Sequence, residues 1–175
     1  MKNNNRDIRK IRTAANIGLW GSVFFTGLTI IEHYLSKYVW AREITANEYT
    51  RRLFLVIGLV ISVVDIALIL FTLRRQTPRL RQMDSLEGKL QGYRALMASV
   101  YYATLADTVI VSAVVVTTHE NVMIMLLLLM VVTLMLNYPN MYKMKADMGL
   151  NEDEMKQLFG DSYIGEDRGG SENAD

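Results

Sequence analysis

Two aspartates stand in stretches that otherwise carry no charge, Asp65 in LVISVVDIALIL and Asp107 in YYATLADTVIVSAV. An ionised Asp at the centre of a bilayer costs roughly 2.5–3.5 kcal/mol even on insertion-based scales. No Lys, Arg or His in the neighbouring apolar stretches lies at the same depth to neutralise either acid. The chemistry open to such a pair is narrow: at least one acid stays neutral, a proton is shared between them, or a cation is bound. At helical spacing Ser62 shares a face of its helix with Asp65, and Thr104 and Asp107 fall together on the other helix, so a Ser or Thr can meet an acid of the next helix. The same four residues also fit a purely structural role, in which a protonated acid hydrogen-bonds across a helix contact, worth roughly 0.6 kcal/mol on average. Glu32 and His33 form a weaker candidate, because they fall at the end of an apolar run where water is available.

Other chemistry has little support. The chain has no cysteine, which removes disulfides, thiolate ligands and cysteine nucleophiles, and His33 and His119 are its only imidazoles. With no third ligand spaced to join them, no metal site is expected. Met123, Met125 and Met130 do not share one helical face, so the methionines do not suggest a copper site either. Dinucleotide, P-loop, zincin and nucleophile-elbow motifs are absent. The expectation is a protein that is not an enzyme and holds no cofactor.

The elements that must position the aspartates are membrane spans. Of 175 residues, 51% are hydrophobic, and the 19 Lys and Arg and 18 Asp and Glu cluster between long stretches nearly free of charge. Four stretches approach the ~20 residues that cross the hydrocarbon as a helix, at about 13–34, 53–73, 95–118 and 122–138. Tyr34, Tyr38, Trp40, Tyr93, Tyr138 and Tyr142 flank them as interfacial anchors. The run after the basic residues 1–12 is longer than a secretory core and lacks a small-residue cleavage site, so it reads as a retained first helix. Lys and Arg concentrate before span one, between spans two and three, and after span four, which predicts both termini cytoplasmic.

The fold class expected is all-α: an integral membrane four-helix bundle with helical extensions beyond the bilayer and a disordered acidic tail over 165–175. Thr45 and Glu48 suggest a cap for the second helix, and Thr77-Pro78 one for an amphipathic cytoplasmic leg over 78–94. In that leg Leu80, Met83, Leu86, Leu90, Tyr93 and Met97 form one apolar stripe that needs a partner. Within 143–164, Asn151 and Glu154 form a capping box for a short helix over 152–159, with Gly160 to end it.

Within the bilayer, Gly18, Ser22, Thr26, Thr29 and His33 share a face of span one; Gly58, Ser62, Asp65, Ile69 and Thr72 share one of span two. Ser99, Ala103 and Ala106 suggest a close-packing ridge on span three, so spans one to three are expected to meet through these faces, leaving span four outermost. Small multidrug transporters also have four spans, but they carry their acid within the first, and tetraspanins have a cysteine-bearing outer loop that this chain lacks. It looks like a small multi-pass protein of a bacterial inner membrane. The expected partners are the lipid bilayer and a second copy or another protein, with no nucleic acid. The leading expectation is a structural, assembly or regulatory membrane component; the alternative is a small oligomeric proton- or cation-linked transporter or channel built on Asp65 and Asp107.

Overall fold

The computed structural model describes residues 2–39 and 47–160. Among these the chain is all helix: α1 (Lys2–Tyr34), α2 (Glu48–Arg81), α3 (Leu86–Thr118), α4 (Asn121–Leu136), α5 (Met141–Met148) and α6 (Glu152–Phe159). A π-helical segment, Leu35–Val39, extends α1. Trp40, Thr45 and the acidic tail lie outside the described residues; Asn47 is the residue that caps α2, its side chain accepting from the Tyr49 amide.

Three helices are long and apolar enough to cross a membrane, Arg6–Tyr38, Glu48–Arg81 and Leu86–Thr118. The fourth apolar stretch is α4, which ends at Leu136 and meets α5 at a 78° bend; the span-length helices number four only if that bent pair counts as one. Pro139 lies in the bend, where it has no amide to offer a continuing helix.

α3 is the central element: α1 and α2 each pack along it and scarcely touch one another, while α4 touches all three. The small faces of α1 and α2 are buried, with Gly18, Ser22, Thr26, Thr29 and His33 turned inward on one and Gly58, Ser62, Asp65 and Ile69 on the other. They pack on α3 rather than on each other, which corrects the expectation that spans one and two meet. The expected ridge on span three is also reversed, since Ser99, Ala103 and Ala106 are exposed. α3 instead buries large residues such as Met97, Tyr101 and Val111. The reason is steric. The glycines of α1 and α2 supply the close approach, so the α3 side of each contact is free to be bulky.

Span four is not outermost. α4 buries Met123, Leu127, Met130 and Leu134 on one face, and the apolar window of α2 is the least covered of the three span-length helices, 22% buried against 44% in α3. Flexible Met123 fills the space that Gly58 leaves, its Cε lying where a Cβ on residue 58 would come.

At the end bearing α5 and α6, Thr77-Pro78 does not start a helix. α2 runs through Pro78 to Arg81, and α3 begins after Ser85, whose Oγ accepts from the Gly88 amide at 3.2 Å. Proline is tolerated because it falls in the last turn, where few bonds follow it, and Leu80 anchors that turn in the core. The leg stripe finds its partner within the chain: Leu80, Leu90, Tyr93 and Met97 pack with Met144, Met148, Leu150, Met155 and Leu158. Met83, in the turn, is left exposed. Tyr93 is buried rather than interfacial, and its hydroxyl donates to Asp147 at 3.2 Å.

Asn151 and Glu154 form both bonds of the capping box, and Glu154 also receives the buried ammonium of Lys89 at 3.0 and 3.2 Å. Burial disfavours the Glu154 charge, but the Asn151 amide and Lys89 outweigh it and hold the carboxyl below the ordinary carboxylate range. A depressed folded value means that the pair's contribution is complete above the unfolded value of about 4.3 and vanishes as pH falls through the folded one. Protection of the α6 amides against exchange, taken relative to their intrinsic rates at each pH, should therefore fall on acidification below about pH 4.3, and Glu154→Gln should remove that pH dependence. Unchanged α6 protection across this range would show that the docking of α6 does not depend on the pair.

Candidate functional site

α1 and α3 run in the same direction, in a register fixed by close contacts. A Cβ on Gly18 would lie 2.6 Å from Tyr101 Cβ, one on Gly21 would lie 2.7 Å from Leu105 Cδ1, and Thr108 Oγ1 reaches Ser22 Oγ at 3.2 Å. α2 runs antiparallel to α3, with Gly58 beside Val114 and Leu80 beside Gly92. This arrangement brings Asp65, Asp107 and Thr104 together. Across the α2–α3 contact the Asp65 carboxyl lies near that of Asp107 and near the Thr104 side chain.

Asp65 is 4% exposed and Asp107 half-buried. Asp65 Oδ2 and Thr104 Oγ1 are both buried without a partner at hydrogen-bond geometry. Two ionised carboxylates only accept, so direct bonding between them requires one proton on one of them. No ion pair to either acid exists among the described residues, nor does any cluster of three or more metal-ligating side chains. Ser62 is buried on the same face as Asp65 but spends its proton on its own helix, at the Gly58 carbonyl (2.9 Å).

Glu32 and His33 are not part of this pair. They lie at the other end of α1's polar face, toward the α3–α4 turn. There His33 is buried, with Nε2 3.0 Å from Asn121 Oδ1 and its ring 5.7 Å from that of His119. Ser36 donates to Glu32 Oε1 at 2.6 Å.

Between the two groups the α1–α3 contact is polar. Thr108 Oγ1 lies 2.7 Å from the Thr104 carbonyl as well as beside Ser22, and Thr26 falls at the register of Ser112. Among the described residues, the buried side-chain atoms without a partner are all here: Asp65 Oδ2, Thr104 Oγ1, Ser112 Oγ, Thr26 Oγ1, His33 Nδ1 and Glu32 Oε2. Each unsatisfied buried group costs about 1–3 kcal/mol, a penalty that water or an ion relieves. Toward the α5–α6 end the interior changes character, and Ile11, Ala15, Ile69, Tyr101 and Leu134 close it with apolar packing.

Comparison with models of protein families, with curated proteins and with solved structures finds no match. Function is therefore inferred from this geometry. Sequence periodicity locates Asp65, Thr104 and the α1 face, but it misses the partnership of His33 with Asn121 and the continuity from Thr104 to Ser22. Those depend on the α1–α3 register, for which Gly18 and Gly21 are the only local signal.

Proposed function

We propose that this chain is a small four-span membrane protein with both termini cytoplasmic, in a bacterial inner membrane, and that it is a non-enzymatic structural or regulatory component. In this reading the Asp65–Asp107 pair takes up a proton or a hard cation from the non-cytoplasmic side. The observation that carries it is the buried Oδ2 of Asp65, unpartnered among the described residues, facing a second acid with no ion pair to a described cationic side chain. The direction of access is supported by the unpartnered polar atoms running from Thr104 to Glu32 on one side, against the apolar closure around Tyr101 on the other. A site reached from one side suits sensing better than conduction.

Assembly with a second copy fits the exposed small residues Ser99, Ala103 and Ala106 of α3, which permit close helix approach. The transporter reading differs in needing the apolar half to open.

The test is modification by dicyclohexylcarbodiimide, which adds a protonated carboxyl in apolar surroundings across its C=N bond. In protein reconstituted in vesicles, mass spectrometry should find the adduct on Asp65 or Asp107. Labelling should fall as the external buffer is made alkaline, or as sodium is added. Labelling indifferent to both would overturn the reading. Proton or sodium flux into the vesicles that Asp65→Asn with Asp107→Asn abolishes would replace sensing by transport.

A further inference from the structure

At the opposite edge of α1 and α3, away from the acid pair, a groove of about 410 Å³ is lined by Arg9, Lys10, Thr13, Ala14, Arg94, Ala98 and Tyr102. Its position follows from the sequence. Arg9 and Lys10 are the last basic residues but one before α1 turns apolar, and Arg94 directly precedes the apolar stretch of α3. The parallel packing of the two helices, with Asp7 beside Arg94 and Gly18 beside Tyr101, brings both boundaries to one level. Ala14 and Ala98 are small, and so leave a furrow between the helices just where the charges end.

The charge in the groove is strongly one-sided. Arg94 donates from Nη1 to Asp7 at 3.0 Å, which fixes its guanidinium while leaving the side chain 43% exposed. A guanidinium has five N–H donors, so this bond leaves others for a ligand. Arg9 and Lys10 have no ion pair among the described residues. Three cations against one acid, above two alanines and the exposed ring of Tyr102, make a site that is anionic-selective at one end and apolar at the other.

We infer that this groove holds an anionic phospholipid of the leaflet facing the basic N-terminus, with its phosphate between Arg9, Lys10 and Arg94 and the start of an acyl chain along Ala14, Ala98 and Tyr102. Charge complementarity argues for a phosphate diester. The level of the groove, at the boundary between charged and apolar chain, argues for a lipid rather than a dissolved anion, since that is where the phosphates of a bilayer lie. Basic residues at this level gain from the anionic surface as well as from the single headgroup.

The experiment is native mass spectrometry of the full chain, delipidated in detergent and titrated with phosphatidylglycerol or phosphatidylcholine. One phosphatidylglycerol should be retained in strong preference to phosphatidylcholine. Arg9→Gln with Lys10→Gln keeps the Arg94–Asp7 pair and should weaken retention about thirtyfold. Ala98→Leu, which fills the furrow without changing charge, should weaken it as well. Arg74→Gln with Arg75→Gln, on α2 and outside the groove lining, should leave it unchanged. Equal loss in that α2 variant, equal binding of the two lipids, or full retention in Ala98→Leu would each overturn the site. Displacement of the lipid by inorganic phosphate alone would show a free-anion site instead.

Discussion

Gly18→Ala is expected to destabilise the protein by about 2–3 kcal/mol, although the same change at an open helical position stabilises by about 1 kcal/mol. The reversal comes from what the added methyl meets. At residue 18 it would lie 2.6 Å from Tyr101 Cβ and 2.7 Å from the Tyr101 carbonyl oxygen, both parts of α3 that move only if the helix moves. Tyr101 cannot easily yield, because it is fully buried and its hydroxyl donates to the Leu134 carbonyl at 2.9 Å. α1 must therefore separate from α3, and the register of Ser22 with Thr108 goes with it.

Two other glycines make the comparison quantitative. A Cβ added at Gly27 would meet nothing within 4 Å, so Gly27→Ala should be neutral or stabilising. At Gly58 the nearest obstacle is the Met123 Cε at 2.5 Å, the free end of a flexible side chain, so Gly58→Ala should fall between the two. Thermal unfolding of the three variants in one detergent checks the order. Equal midpoints for Gly18→Ala and Gly27→Ala would show that α1 and α3 do not meet at this contact.

These glycines also mark how far the sequence could be read. The inward faces of α1 and α2 were legible because small and polar residues recur at helical spacing in otherwise apolar runs, and a lipid-facing surface has no use for them. The face of α3 was not legible by the same rule. Ser99, Ala103 and Ala106 look like a packing ridge, but a contact needs a small residue on only one of its two sides, and here Gly18, Gly21 and Gly58 provide it. Small residues thus announce that a helix packs closely, without naming its partner.

Local capping chemistry was equally uneven. The Asn151–Glu154 box could be read because two side chains at fixed spacing satisfy two amides of the same turn. Helix α5 was missed although Asn140 caps one end, accepting from Lys143, and Gly149 ends the other at φ 59°. Its eight residues carry a weak apolar pattern, and the burial of Met144, Asp147 and Met148 is decided by the distant Leu80, Tyr93 and Arg81. Thr77-Pro78 misled for the converse reason. Its cap signal is real in isolation, but the end of α2 is held beyond it by Leu80 in the core and by Arg81 Nε on the Ala146 carbonyl at 3.0 Å.

The acid pair gives the second large effect. Asp65→Ala should destabilise the fold by about 3 kcal/mol, since it opens a cavity and removes the carboxyl that faces Asp107 across the helix contact. Asp65→Asn should cost much less, because the amide keeps the volume and can donate to the Asp107 carboxylate and accept from Thr104. If the two carboxyls act as a unit, the losses are not additive: after Asp65→Ala, the further change Asp107→Ala removes a group already without a partner. The cycle should therefore close with a coupling of about 1–3 kcal/mol, whereas independent sites agree within about 0.5 kcal/mol. Unfolding of the four proteins in detergent measures it. Because Asp107 is only half-buried, its own Ala variant should be the milder of the two, and the asymmetry is informative. A larger loss at Asp107 than at Asp65 would mean that the charge sits on the more exposed acid and that Asp65 serves it as a donor to a structural bond. Additivity would separate the acids altogether and leave the polar face of α1, from Ser22 to His33, as interhelical bonding alone.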